Sequence, residues 1–298
     1  MTEETEKATG EAAKAAWTIE AVVRWATDDF RTKGIESPRL DAEVLLAHAL
    51  STTRVQLIID AKRPLMADEL ARFRTLVKRR RAHEPVAYIV AQREFYGRMF
   101  RVDRRVLVPR PDTETLVDVA LTRTRGCSMS MRALDLCTGS GCVAITLGRE
   151  RPTSRVVAVD LSDAALALAR ENALRLGAYN VALRVADLFA GEGEARYDVV
   201  TANPPYIPSR EVDALAPDIR NFEPRLALDG GEDGLALLTR IVREAPAHLV
   251  AGGLLAVEVG AGEAPDVRAL FESTGYTEIE VARDYARIER VVSGLRPA

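Results

Sequence analysis

The sequence predicts an α/β protein: a doubly wound, mainly parallel sheet ending in an antiparallel pair, preceded by a small all-helical unit. Three observations carry that expectation. From Arg132 onward, apolar strand-like runs alternate with helical stretches, the pattern of parallel strands joined by crossover helices. The last two runs, Thr277 to Val281 and Arg287 to Val292, are separated only by Ala282-Arg283-Asp284-Tyr285-Ala286, too short for a crossover, so an antiparallel edge pair is expected. The first 85 residues show helical spacing without strand-like alternation.

Residues 1–16 are rich in Glu, Lys, Ala and Thr with no hydrophobic face and are expected to form a disordered tail. From Trp17 to about Lys33, Ile19, Val22, Val23, Ala26 and Phe30 recur at helical spacing, and Gly34 follows as a stop. Ser37-Pro38 opens a second helix carrying Leu40, Val44, Leu45 and Ala49, and a short third one spans Val55 to Asp60. Ala67 to about Ala82 forms a longer helix that buries Leu70, Phe73, Leu76 and Val77 and ends before Glu84-Pro85. Its Arg72, Arg74, Lys78, Arg79, Arg80 and Arg81 form either a solvated face or a docking surface for an anionic partner.

Between Arg93 and Val108, the residues Phe95, Tyr96, Phe100, Val102, Val106 and Val108, broken by Gly97, read as a hairpin. The expected organisation is therefore a tail at 1–16, a helical domain at 17–85, a hairpin connector at 86–108 and an α/β domain at 109–298. In Pro109-Arg110-Pro111-Asp112-Thr113-Glu114, Asp112 or Thr113 is placed to cap the helix bearing Leu116, Val117 and Val119. Parallel strands are expected at Arg132 to Cys137, Arg155 to Asp160, Val181 to Ala186, Arg196 to Ala202 and Leu254 to Gly260. Ile207 to Asp233 is a long connection without clear periodicity, which in a compact domain suggests an active-site cover.

At 298 residues and a net charge of -3, the composition is that of a soluble globular protein and argues against gripping long nucleic acids by their phosphates. No apolar run approaches the roughly 20 residues that span a bilayer, and the N-terminus lacks a signal peptide's apolar segment, so a cytoplasmic protein without membrane partners is expected. Cys127, Cys137 and Cys142 are too few for a disulfide framework or a four-ligand zinc site and read as buried or free thiols. His48, His83 and His248 are scattered, so no metal site is expected.

The chemistry concentrates in two stretches. Leu134-Asp135-Leu136-Cys137-Thr138-Gly139-Ser140-Gly141 lies where the first parallel strand gives way to a helix, and its glycines let backbone approach a ligand. Asp160, 19 residues after Gly141, is spaced to accept from both hydroxyls of a nucleoside ribose. Gly139-x-Gly141-x-x-Ala144 also satisfies the dinucleotide fingerprint, which leaves a nicotinamide-dependent oxidoreductase as an alternative. Asp135 weighs against it, since a carboxylate suits the ammonium and sulfonium of S-adenosylmethionine and repels a pyrophosphate. Asp187 is placed to accept from an adenine amino group while Leu188 packs on the ring. The second stretch is Asn203-Pro204-Pro205-Tyr206, stiffened by two prolines at the end of a buried strand. Asn203 Oδ1 and the Pro204 carbonyl there make two fixed acceptors for one planar –NH2 group, and Tyr206 is placed to stack on it.

These residues resemble the glutamine N5-methyltransferases that modify class 1 peptide chain release factors. The resemblance runs from about Trp17 to the end and rests on Pro38-Arg39-Leu40-Asp41-Ala42-Glu43, Glu84-Pro85-Val86-Ala87-Tyr88-Ile89, Arg93-Glu94-Phe95-Tyr96-Gly97, the Pro109 to Glu114 segment with the preceding Leu107-Val108, the glycine loop, Asn203 to Tyr206, and Phe222-Glu223-Pro224. Asn-Pro-Pro-Tyr alone is shared with DNA amino-methyltransferases, whereas Pro-Arg-Pro-Asp-Thr-Glu is far more specific. A sister family that methylates a glutamine of a large-subunit ribosomal protein is similar in its catalytic domain. Cys137 stands where a glycine is common in the release-factor family. The resemblance implies the S-adenosylmethionine-dependent methyltransferase fold, catalytic residues Asn203, Pro204, Pro205 and Tyr206, and a cofactor bound by Asp135, Cys137, Thr138, Gly139, Ser140, Gly141, Asp160, Asp187, Leu188 and Asn203. It also implies an aromatic wall such as Phe100 and a release-factor partner; because every site candidate falls after Pro109, the helical domain at 17–85 is expected to recognise that protein substrate, and the acidic balance leaves no stable nucleic-acid partner expected.

Overall fold

The computed structural model describes residues 17–126 and 130–297. The tail expected at 1–16 and the thiol of Cys127 lie outside the described residues. The chain divides into two compact units, one ending at Val90 and the other beginning at Ala91.

The first unit contains α1 (Ile19–Thr32), α2 (Pro38–Ala49), α3 (Arg54–Ile59), α4 (Ala67–Arg81) and α5 (Val86–Ile89). Their apolar faces meet in one core holding Ile19, Val22, Phe30, Leu45, Leu46, Phe73 and Val77. The Thr18 hydroxyl caps α1 by accepting from the Ala21 amide, whereas Ser37 makes no side-chain cap on α2, whose start is set by Pro38 at its first position. The basic stripe of α4 is largely spent within the unit. Arg80 Nε reaches the buried Asp41 at 2.7 Å, Arg79 binds Glu84 at 2.7 Å, Arg72 binds Asp68 and Arg81 lies 3.3 Å from Asp29.

The second unit opens with a hairpin, β1 (Gln92–Phe95) and β2 (Arg98–Arg101), followed by α6 (Glu114–Arg123). Strands β3 (Arg132–Leu136), β4 (Arg155–Asp160), β5 (Val181–Val185), β6 (Tyr197–Ala202) and β7 (Leu249–Glu258) are parallel neighbours in a sheet of order β5-β4-β3-β6-β7-β9-β8, where β8 is Thr277–Arg283 and β9 is Glu289–Leu295. The pairs β7/β9 and β8/β9 are antiparallel. The remaining helices include α7 (Cys142–Glu150), α8 (Asp163–Arg175), α9 (Ser209–Val212), α10 (Pro217–Phe222), α11 (Ala236–Glu244) and α12 (Ala264–Thr274). The sheet separates two cores: Leu134, Leu136, Val200, Leu255 and Val257 pack towards α11 and α12, while Ala133, Val199, Leu254 and Ala256 pack towards α6 and α7. Among the described residues no helix is long and apolar enough to cross a membrane.

The hairpin does not stand apart as a connector. Phe95 and Phe100 are buried in the α6/α7 core with ring centroids 6.0 Å apart, edge to face. The Tyr96 amide donates to Glu114 and its hydroxyl to Asp118, both 2.8 Å. On the other strand, the buried Asn172 of α8 accepts from the Arg101 amide and donates to the carbonyls of Arg101 and Ser140. One amide side chain thereby joins the hairpin to the glycine loop.

Candidate active site

Parallel strands deliver their last residues to one edge of the sheet, and ligands bind there. In this chain that edge carries a cleft lined by the glycine loop, by Asp160-Leu161-Ser162, by Ala186-Asp187-Leu188, by Asn203 and Pro205, by Val106 and Leu107, and by Pro109 and Arg110. Pro224, Leu226 and Ala227 line it from the segment between β6 and α11.

The cofactor half is built around the glycine loop. After β3 the chain turns through Cys137, whose φ of 56° is a left-handed conformation that glycine adopts most easily. The Gly141 amide donates to the Thr138 carbonyl at 2.8 Å, and a Cβ on Gly141 would come within 2.8 Å of Ile145 Cδ1. Gly141 thus shapes the loop without lining the cleft, whereas Gly139 lines it with open space around its Cα. Asp160 Oδ2 accepts from the Gly139 amide at 2.8 Å and Oδ1 from the Ser162 amide at 2.9 Å, so backbone fixes the carboxylate. Burial raises the Asp160 pKa, and these N–H donors oppose the rise. Asp135 is buried beneath the loop, accepting from Thr138 Oγ1 at 2.6 Å and Thr201 Oγ1 at 2.7 Å. Burial pushes its carboxyl up to about 6 against the pull of both hydroxyls.

Asp187 also lines the cleft. It is exposed and its carboxylate is engaged by Arg240 Nη1 at 3.2 Å, because α11 passes beside the β5 loop. Leu188, at φ 52° and buried, does line the cleft.

The charge pattern suits a cationic nucleoside. Asp135, Asp160 and Asp187 line the cleft, while its two arginines are already paired, Arg105 with Asp103 at 2.7 Å and Arg110 with Glu223 at 2.7 Å. A sulfonium with an amino acid tail fits such a lining; a pyrophosphate does not.

The other half is built by register. The β6/β7 pairing sets Ala202 beside Val257, so the next residues, Asn203 and Glu258, emerge side by side. Asn203 Nδ2 donates to Thr113 Oγ1 at 3.1 Å. Thr113 therefore does not cap α6: it lies in a 3-10 turn with helical backbone angles, its side chain turned to Asn203, while Asp112 pairs with Arg290 at 3.2 Å. Pro204 and Pro205 are buried and Tyr206 half-buried. Only Asn203 and Pro205 of the tetrapeptide line the cleft; the Tyr206 ring packs against the α11/α12 core. Gly230 supports the tetrapeptide from behind, since a Cβ there would lie 2.8 Å from the Pro205 carbonyl and the Tyr206 Cα. Phe100 is fully buried in the α6/α7 core and is not part of the cleft; the alternation of β2 turns it inward.

The cover between β6 and α11 contains α9 and α10, too short to register as periodic. It is tied down by Arg110–Glu223, by the Arg104 guanidinium 4.7 Å from the Phe222 ring centre, and by the Ile207–Asp229 bridge. The Phe-Glu-Pro and Pro-Arg-Pro motifs are thus two ends of one contact. From sequence alone, Thr201, Asn172 and Glu258 have no role, and Thr113 has only that of a helix cap. Only Glu258 carried a visible signal, an acid inside the apolar run Leu254-Leu255-Ala256-Val257-Glu258-Val259.

The family described as PrmC N-terminal domain matches residues 21–90, and Methyltransferase small domain matches residues 112–219. A Geobacter sulfurreducens protein named release factor glutamine methyltransferase is 44% identical over 278 residues, 93% of this chain and 96% of its own length. A Cereibacter sphaeroides protein of the same name is 43% identical over 277 residues, 93% and 98% of the two chains. Among solved structures, a Pyrococcus furiosus methyltransferase superposes with a TM-score of 0.51 at 17% identity, covering 68% of this chain and 91% of that one, a likeness of fold alone.

Proposed function

The chain belongs to the release factor glutamine methyltransferases, and from that premise we propose that it transfers a methyl group from S-adenosylmethionine to the side-chain amide nitrogen of the glutamine in the Gly-Gly-Gln motif of class 1 release factors, in the cytoplasm. The observation that carries the reading is Asn203 at the mouth of β6 with its Nδ2 donating inward to Thr113. That bond leaves Oδ1 as an acceptor on the cleft side.

S-adenosylmethionine supplies an already activated methyl group, so the protein needs no nucleophile of its own. An amide nitrogen is a weak nucleophile because its lone pair is delocalised into the carbonyl. Asn203 Oδ1 and the Pro204 carbonyl, accepting from its two N–H bonds, orient that nitrogen and stabilise the positive charge growing on it. Asp160 holds the ribose hydroxyls, and Asp135 offsets positive charge from beneath the loop. Val106, Leu107, Leu188 and Leu226 exclude water. The helical unit is assigned to recognition of the protein substrate, since one glutamine side chain offers far less than the roughly 1,000 Å² that specific recognition buries.

The deciding assay incubates the protein with labelled S-adenosylmethionine and, separately, a release factor, a ribosomal protein and DNA. Label on the release factor glutamine is expected. Label on the ribosomal protein alone, or on DNA alone, overturns the assignment.

A further inference from the structure

A carboxamide has two faces that differ only in which atom is N and which is O, so a residue used as a hydrogen-bond acceptor must be prevented from turning over. Asn203 sits beside a group able to do this. Glu258 is 2% exposed, at the end of β7, with Thr113 and Asn203 facing its carboxyl. Its Oε2 is buried with no hydrogen-bond partner. Nothing in the methyl transfer described above uses this acid, and an isolated buried carboxyl is costly to keep.

We propose that Glu258 and Thr113 are positioning residues that lock the Asn203 carboxamide with Nδ2 inward and Oδ1 towards the substrate. The proposal rests on the functional reading above, in which Asn203 Oδ1 accepts from the substrate amide. In its ionised form, above about pH 7, the Glu258 carboxylate only accepts, so the Thr113 hydroxyl hydrogen is drawn to it. The hydroxyl oxygen is then left to accept, and it accepts from Asn203 Nδ2 at 3.1 Å. Reversing the amide would set Oδ1 against an oxygen whose hydrogen points elsewhere, next to a negative charge. Burial pushes the Glu258 carboxyl up to about 7, against the pull of the Thr113 hydroxyl and of Arg290 of β9, whose Nη2 lies 3.2 Å from Asp112, so the charged form prevails above about pH 7. The sheet makes the arrangement obligatory: Asn203 and Glu258 follow register partners on adjacent strands, and Thr113 opens the helix packed on that face.

The test compares T113V, T113S and E258Q in the full chain, measuring kcat and KM with a release factor, cofactor Kd by calorimetry, and the Asn203 side-chain NH2 signals in a 15N spectrum, identified by their loss in N203S. T113V keeps the shape but removes the hydroxyl, and E258Q keeps the shape but removes the charge. Both should lower kcat by about 10–100-fold, the loss typical when a group that orients a reacting ligand is removed, with cofactor Kd within about twofold of wild type. T113S should recover kcat to within about threefold, and T113V should shift the Asn203 NH2 signals. Full kcat in T113V or in E258Q overturns the proposal, as does T113S falling as far as T113V. If the wild-type enzyme leaves release factors unmodified, the functional reading fails instead. The Asn203 signals still decide the orientation in that case: unchanged signals in T113V overturn it.

Discussion

The two halves of the cleft are built in opposite ways. On the cofactor side most contacts lie within the loop or next to it: Asp135 and Thr138 are three residues apart, and Asp160 is fixed by the Gly139 amide and by the Ser162 amide two residues on, with the Thr201 hydroxyl on Asp135 as a long-range addition. On the reaction side, Asn203 is held by Thr113, 90 residues away in sequence, and by Glu258, which reaches it through strand register. One half is a loop motif and the other an assembly of three chain segments. A ligand met by many backbone groups tolerates the loss of one, whereas a single acceptor on a reacting nitrogen has no substitute.

The comparison is broken most directly at Asn203. N203A should lower the methylation rate by about 10²–10³, as for loss of one hydrogen-bond partner of the transition state, while cofactor affinity stays near wild type. Normal turnover would mean that Asn203 merely ends its strand. The converse variant is D160A, expected to weaken S-adenosylmethionine binding by roughly 1.5–3 kcal/mol, the range for hydrogen bonds to a charged group. Calorimetry returning the wild-type affinity would remove Asp160 from the ribose site.

This contrast also explains what could be read before the structure. The sheet, its antiparallel edge and the glycine loop were legible because each is encoded within one or two neighbouring segments: period-2 and period-3.6 patterns, a five-residue spacer between Val281 and Arg287, and glycines at a strand end. The partners of Asn203 were not, because register is a property of two strands and no local pattern reports it. Thr113 looked like a helix cap since Thr before a helix usually is one; only the preceding 3-10 turn redirects its hydroxyl. Phe100 shows the same limit, since motif analogy placed it at the cleft while its strand's alternation buries it against Phe95. The β7 strand starts at Leu249, five residues before the apolar run at Leu254, because Gly252 and Gly253 interrupt the pattern and the pairing shifts register between Tyr197 and Val199.

Proton uptake sharpens the electrostatic side of the comparison. Burial holds the Asp135 carboxyl at about 6, above its ordinary range. A carboxyl raised in the folded state contributes stability at low pH that is lost as the pH rises through 6. Binding of a cationic ligand runs the other way, since it favours the ionised form. Affinity for S-adenosylmethionine should therefore fall as the pH drops through about 6, by up to about tenfold per unit, with Asp160 adding in the same direction because burial raises it too. D135N should flatten the Asp135 part of that slope. An affinity that rises on acidification contradicts the assignment of a cation above Asp135.

The smallest expected effect lies at Asp187, the cofactor-side acid whose partner is an exposed side chain of a helix distant in sequence. Its carboxylate is 52% exposed and its partner Arg240 44% exposed, so the pair is a surface contact between the β5 loop and α11. Exposed ion pairs contribute about 0.2–1 kcal/mol. If Asp187 accepts from the adenine amino group, Arg240 competes for the same oxygens. R240A should then tighten S-adenosylmethionine binding, by no more than about fivefold given that range, and high salt should narrow the difference between the two proteins. Weaker binding in R240A would instead make the guanidinium a clamp that aims Asp187 at the cofactor. In that case a second acid of this half, beside Asp135 on Thr201, depends on a contact between segments far apart in sequence, and the division drawn between loop and register would hold only for the ribose end.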